Sequence, residues 1–189
     1  SEAEKEQFSS EQLPQLIALS RKHDILHLLA LGIKQNALTA DEAAVLERST
    51  LSAIYRYEQL NYEYGKLCKT LESANIPFMP LKGSVLRKYY PEAWMRTSCD
   101  IDVLVHEQDL EKAASILIDT CGYAFHEKGS HDVVFIAPNK MHIELHYNLM
   151  EAGRMKDVSR VLNSVWESAS VRDGYRYWYE MPDEMFYFY

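Results

Sequence analysis

Apolar residues recur at helical spacing through residues 9–74 of this chain and give way, from Asn75 onward, to short apolar runs separated by turn residues. Ser9 or Ser10 caps a first segment reaching about Ala30, with Leu13, Leu16, Ile17, Ile25, Leu28 and Leu29 as its apolar face and Gly32 as its stop. Lys22-His23-Asp24 is placed to split it in two. Thr39 and Glu42 then fit a capping box, opening a long helix in which Leu46, Thr50, Ala53, Tyr57, Leu60, Tyr64, Leu67 and Leu71 return every three or four residues. That stripe reads as a core or helix-pair seam, with a partner-binding groove as the alternative.

Beyond Asn75 the pattern predicts a strand over Ile76–Leu81, a turn at Lys82-Gly83-Ser84, a short helix ending before Pro91, a loop, and a strand from Cys99 to Val105. A helix follows from about Gln108 to Cys121, with Gly122 as its C-terminal cap. Tyr123–Glu127, Asp132–Ala137 and Met141–Tyr147 read as strands, the last two an antiparallel pair joined by Pro138-Asn139-Lys140. The order β-α-β-α-β-β-β implies an α/β (α+β) fold with a mixed sheet. After Gly153, Val158, Val161, Leu162, Val165 and Trp166 predict a helix, and Tyr175–Met181 alternates like a strand. Pro182-Asp183-Glu184 resembles a helix start, yet the apolar run Met185–Tyr189 has nothing after it to bury it, as a truncated chain would. The expected organisation is a helical region over 1–74, a core over 75–150 and a helix and strand extension over 151–189.

Composition narrows the function classes. At 189 residues the chain buries enough surface to fold without a disulfide or structural metal, so any metal would serve chemistry. Against 20 Lys+Arg stand 28 Asp+Glu, a formal charge of −8, and no basic face for duplex nucleic acid is visible. Cys68, Cys99 and Cys121 form no CxxC pair, which argues against a disulfide framework and for a reducing, cytoplasmic setting. No leader-like or membrane-spanning apolar run is present.

Asp100-Ile101-Asp102 heads the apolar strand Val103-Leu104-Val105, and period two puts both carboxylates on one face. Set about 6 to 7 Å apart on a half-buried strand, two carboxylates repel until one is protonated or a cation neutralises them. Mg²⁺, which takes carboxylate, water and phosphate oxygens, is the natural cation; solvated surface or an edge-strand device is the ordinary alternative. Upstream, Gly83 permits close approach of a phosphate, and the helix start at Lys82-Gly83-Ser84 offers free N–H groups and a hydroxyl; alternatively Ser84 is a cap and Gly83 a turn residue. Downstream, His142, Glu144 and His146 share a strand face, so Glu144 is available as a third acid. A competing reading makes the two histidines zinc ligands. The helical pair His23 and His27, the loop pair His126 and His131, and Tyr175, Tyr177, Trp178 and Tyr179 are weaker candidates for a metal, the cleft and base stacking.

Leu81-Lys82-Gly83-Ser84, Arg96, Asp100-Ile101-Asp102-Val103-Leu104-Val105, Gly122-Tyr123 and Ile143-Glu144-Leu145-His146, taken in order, resemble the polymerase-beta-type nucleotidyltransferase superfamily. More narrowly they are similar to its subgroup of poorly characterised bacterial nucleotidyltransferases, over about Ile76–Leu149. The resemblance implies that Gly83 and Ser84 open the helix contacting the nucleotide's phosphates, that Asp100 and Asp102 bind Mg²⁺, and that Glu144 is the third acid. Lys82 and Arg96 match the subgroup's pattern and are read as nucleotide-binding. Fifteen residues separate Ser84 from Asp100, longer than the usual gap, with Pro91-Glu92-Ala93-Trp94 as the excess. The implied activity is transfer of a nucleoside monophosphate from a nucleoside triphosphate such as ATP to an acceptor hydroxyl, with two Mg²⁺ or Mn²⁺ ions. The acidic balance favours a small molecule or protein over a long nucleic acid as acceptor. The alternatives are an idle nucleotide- or partner-binding module, and a zinc or manganese hydrolase built on His142, Glu144 and His146. The transferase reading requires the Asp100, Asp102 and Glu144 oxygens to converge beside the 82–84 turn, with no salt bridge filling the space between them.

Overall fold

A computed structural model of the chain describes residues 12–33, 38–149, 162 and 164–188. It divides into two units, one formed by Ser1–Glu58 with Lys88–Thr97, the other by Gln59–Arg87 with Ser98–Tyr189.

In the first unit, α1 (Gln12–Lys22) and α2 (Leu26–Gly32) are separated where Asp24 turns to φ +53°, a conformation that a short polar side chain tolerates and that ends the helix inside the expected Lys22-His23-Asp24 break. Leu13, Leu26, Ile33 and Leu46 bury together as its core. The long helix α3 (Ala40–Ser73, 34 residues) starts at the expected capping box. The Glu42 carboxylate accepts from the Thr39 amide at 2.9 Å and hydroxyl at 2.8 Å, while Thr39 Oγ1 accepts from the Glu42 amide at 3.3 Å. Helix α3 runs across the division, so its later turns belong with the second unit.

That unit is built on five strands: β1 (Phe78–Pro80), β2 (Asp100–Val105), β3 (Ala124–Lys128), β4 (Asp132–Ile136) and β5 (His142–His146). Their spatial order is β1-β2-β5-β4-β3. Only β2 and β5 pair in parallel; the other neighbours are antiparallel, so the sheet is mixed as the element order implies. On one face Ile101, Val103, Val133, Phe135, Ile143 and Leu145 pack under Leu60, Leu67 and Leu71 of α3 and under Leu110, Ala113 and Leu117 of α5 (Leu110–Cys121). Helix α5 ends on Gly122, whose φ of +68° favours glycine and lets its amide reach the Ile118 carbonyl at 3.1 Å. Between β1 and β2 come the short helix α4 (Lys82–Val85), which begins two residues after Pro80, and single helical turns at Leu86–Tyr89 and Ala93–Met95.

The opposite face of the sheet is apolar at one end, where Met79, Leu81 and Leu104 join Leu149, Leu162, Val165, Met181 and Met185 in a second cluster. Here the structure departs from expectation. Of the helix expected after Gly153, Val158 and Val161 lie outside the described residues, and α6 covers Val165–Ser168. The strand expected over Tyr175–Met181 is reduced to β7 (Tyr179–Glu180), paired with β6 (Ser170–Val171). Trp178 is instead a packing residue against Phe78 at 5.3 Å between ring centroids, with the Arg172 guanidinium 4.4 Å above its ring. Two residues of the closing apolar run find cover: within α7 (Asp183–Phe188) Met185 is 8% exposed, and Phe186 packs on the same cluster. Among the described residues no helix is long and apolar enough to cross a membrane.

Candidate metal and phosphate site

Parallel pairing sets Asp100 opposite His142, Asp102 opposite Glu144 and Leu104 opposite His146. Because side chains alternate, Asp102, Glu144 and His146 all stand on the sheet face away from α3 and α5. They are the one group among the described residues whose donor atoms could hold a metal ion, all lying within 4.8 Å of one another. His146 Nε2 is 3.5 Å from Asp102 Oδ1 and 3.4 Å from Glu144 Oε2. Asp102 and Glu144 thus come together, but the sequence reading requires Asp100 to join them, and it does not. Asp100 stands half-buried two residues upstream on the same strand face, outside that group of three.

His146 also occupies the space between the carboxylates as an ion pair, the arrangement the sequence reading had to exclude. A lysine or arginine there would close the site, since neither binds a metal at neutral pH; an imidazole exchanges its proton for an ion. Burial pushes the His146 pKa down, but Asp102 and Glu144 outweigh it and raise it to about 9. In return the imidazole holds the Glu144 carboxyl below its ordinary range, against the opposing effect of burial. Neither ring nitrogen of this buried histidine has a hydrogen-bond partner, so the pairing is electrostatic rather than aligned.

Turn 82–84 adjoins these groups. The Leu81 amide donates to the Asp102 carbonyl at 3.0 Å, which ties the turn to the strand beside the carboxylate. A Cβ on Gly83 would come within 3.1 Å of Asp102 Oδ2, tighter than nearly all real contacts, so glycine is what leaves this carboxylate its position. The Ser84 hydroxyl is buried without a partner, and Lys82 is exposed on the same turn. Arg96 follows a single helical turn at Ala93–Met95 and belongs to the first unit.

Sequence gave His146 two places, as a zinc or manganese ligand in a competing set and at the end of the Ile143-Glu144-Leu145-His146 motif, and the structure separates the competing set by leaving His142 exposed, its ring 6.3 Å from that of His126. One residue of this neighbourhood was not singled out by sequence. Arg87, 8% exposed, donates to the Ser98 hydroxyl, which in turn reaches the Asp100 carbonyl at 3.4 Å. A buried arginine gives no signal in a linear pattern, since arginine is ordinarily exposed. The pair His23 and His27 does not form a metal site: His27 is buried, with Nε2 2.9 Å from the Met95 carbonyl oxygen and its ring 6.1 Å from that of Trp94.

The donor chemistry fits a divalent cation. Two carboxylates and an imidazole lacking a hydrogen bond set donor atoms within 4.8 Å of one another, beside a partnerless hydroxyl and a turn with no side chain at Gly83. A protein-family model described as an uncharacterised nucleotidyltransferase matches residues 9–189. No curated protein sequence matches the chain.

Proposed function

The chain belongs to this nucleotidyltransferase family, and from that premise we propose that it moves a nucleoside monophosphate from a nucleoside triphosphate to an acceptor hydroxyl, using Mg²⁺ or Mn²⁺. The observation that carries the reading is the meeting of Asp102 and Glu144 beside the Gly83–Ser84 turn. In this proposal Asp102 and Glu144 hold a divalent ion, and Asp100, on the same strand face, serves a second. When bound, such ions neutralise triphosphate charge and act as Lewis acids toward the α-phosphoryl group. Gly83 lets the backbone approach the phosphates, and the Ser84 hydroxyl, lacking an internal partner, donates to one of their oxygens. Lys82 offsets the charge that builds on departing pyrophosphate. The acceptor oxygen bonds to the α-phosphorus as the bridge to the β-phosphate breaks, pyrophosphate leaves, and the hydroxyl proton passes to the Glu144 carboxylate. The net charge of −8 favours a small-molecule or protein acceptor over a long nucleic acid.

A second reading, a nucleotide- or partner-binding module without turnover, draws support from His146, which supplies countercharge to both carboxylates without an ion. The discriminating experiment incubates the protein with each α-labelled nucleoside triphosphate and Mg²⁺ or Mn²⁺, following label transfer and pyrophosphate release. Asp102→Asn is expected to lower both by at least about a hundredfold, the scale of losing one preorganised charge-stabilising group. Equal rates in wild type, Asp100→Asn and Asp102→Asn would overturn the transferase reading, and metal-dependent nucleotide binding without release would favour the idle one.

A further inference from the structure

The family reading asks for acids at this site and says nothing of a nitrogen donor, yet the residue most deeply placed in the cluster is a histidine. His146 is 6% exposed, and neither Nδ1 nor Nε2 has a hydrogen-bond partner. A core histidine elsewhere in the chain behaves differently: buried His27 sets its Nε2 against a carbonyl oxygen at 2.9 Å. The His146 ion pair offsets part of the cost of burial, but the hydrogen bonds given up to water are not replaced, which a bound ligand would do. Its Nε2 faces both carboxylates at 3.4 and 3.5 Å. Donors bound to one ion at about 2.0–2.2 Å stand roughly 3–3.5 Å apart, so these separations suit atoms sharing an ion.

We propose that His146 is a direct nitrogen ligand of the ion held by Asp102 and Glu144, and that this nitrogen makes the site prefer Mn²⁺ to Mg²⁺. The inference rests on reading Asp102 and Glu144 as ion ligands. Its chemistry is that of hard and borderline donors. Mg²⁺ takes oxygen ligands and keeps its waters, gaining little from imidazole. Mn²⁺ is the weakest nitrogen binder of the first-row transition ions but, unlike Mg²⁺, gains from an imidazole while still accepting the carboxylate and phosphate oxygens that nucleotide chemistry requires. Two carboxylates alone would serve either ion; the buried imidazole breaks the tie. The position is fixed by the sheet, because Leu104 lies opposite His146 in the β2–β5 register and holds that end of the strand in the second apolar cluster.

The test uses the full chain without nucleotide. Mn²⁺ binding is followed by the electron paramagnetic resonance of the free ion, Mg²⁺ by competition, and nitrogen coordination by the ¹⁴N modulation of bound Mn²⁺. Wild type is expected to bind Mn²⁺ at least about tenfold tighter than Mg²⁺ and to show the nitrogen modulation. His146→Gln should lose the modulation and bind Mn²⁺ at least about tenfold more weakly, the lower end of what removing even an outer partner of a metal site costs, with a smaller change for Mg²⁺. Mn²⁺ bound without nitrogen modulation, lost in Asp102→Asn but unchanged in His146→Gln, overturns the role of His146 and leaves the carboxylate site standing. No Mn²⁺ bound by wild type overturns both. Circular dichroism checks that each variant folds. Should His146→Gln not fold, persistence of the wild-type modulation in His131→Gln and in His142→Gln supports His146 as its source, and its loss in either overturns the proposal.

Discussion

Gly83 is the residue through which backbone shape sets the position of a functional group. With φ outside the left-handed region it needs no glycine for its own conformation; what it needs is room, since a Cβ would press on Asp102 Oδ2 at 3.1 Å. The atom that would yield is the end of a side chain, so Gly83→Ala is expected to fold with a stability cost of no more than about 1 kcal/mol, while the displaced carboxylate lowers nucleotide transfer at least about tenfold. A thermal melt beside the labelled-transfer assay checks this, and parallel loss of both would refute it. The buried polar residues of the same unit carry stability instead. Glu63, 3% exposed on α3, accepts from the Tyr123 hydroxyl at 3.0 Å, and Lys66 lies 3.8 Å from the same carboxylate oxygen while donating to the Cys121 carbonyl at 2.9 Å. Tyr123→Phe leaves that carboxylate with the lysine alone and is expected to cost about 1–3 kcal/mol in urea unfolding, with metal binding unaltered. A helical stripe identifies Leu60, Leu67 and Leu71 as core, because apolar residues on one face bury. It cannot identify Glu63, whose burial depends on a tyrosine 60 residues away. His146 eluded the same reasoning, since alternation alone gives His142 and His146 equal standing and only the packed end of β5 distinguishes the exposed one from the buried one.

Elements with strong local signals were legible in the sequence, and those defined by tertiary pairing were not. Helix α3 began at its capping box, α5 ended at its glycine, and β2, β4 and β5 formed close to where short apolar runs placed them. Strand β1 came out shorter than Ile76–Leu81: Pro77, which has no N–H for a ladder, precedes its start at Phe78, and α4 starts at Lys82. The aromatic alternation at Tyr175–Tyr179 carried period two without a long strand: those rings answer to local stacking, Tyr175 against Trp178 at 4.8 Å and Tyr64 edge-on to Trp178 at 5.9 Å. The capping box supplies a quantitative check at this scale. Thr39→Ala removes the hydroxyl that both donates to Glu42 and accepts from its amide. It is expected to lower stability by about 1 kcal/mol, while Thr39→Ser retains most of that contribution. Equal denaturation midpoints for Thr39→Ala and wild type would show that the start of α3 draws its stability from packing.

At the scale of the whole chain, what sequence could not give is the order of the strands. Asp102 and Glu144 are distant in sequence, and each alone is a strand carboxylate; the parallel insertion of β5 between β2 and β4 turns them into one site. The same core that fixes this order also buries acids that must stay neutral, and this sets how the fold responds to alkali. Burial pushes the Cys68 thiol up to about 12, and burial foremost, with Glu63 beside Tyr123 and Cys68 beside Tyr64, pushes both phenols well above their ordinary value. For each, the folded pKa exceeds the unfolded one, so the neutral form is favoured in the fold. The stability this represents is fully present below the unfolded values of 9.0 and 10.0 and is lost as pH rises beyond them toward the folded values. Each group then costs about 1.4 kcal/mol per pH unit. In the ion-free protein, His146 adds an earlier loss of the same sign, between its unfolded 6.5 and about 9. Comparing wild type with Tyr123→Phe cancels every group the two share. The wild-type advantage in melting temperature is therefore expected to hold steady from pH 7 to about 9 and to shrink above pH 10, where unfolding alone frees the Tyr123 phenol to ionise. In native wild type, two of the 13 tyrosines should correspondingly resist titration until the chain unfolds, read from absorbance near 295 nm. A wild-type advantage that persists undiminished through pH 11, or a full complement of phenols titrating together while the protein stays folded, would mean that Tyr123 is reached by water and that the Glu63 network is not closed.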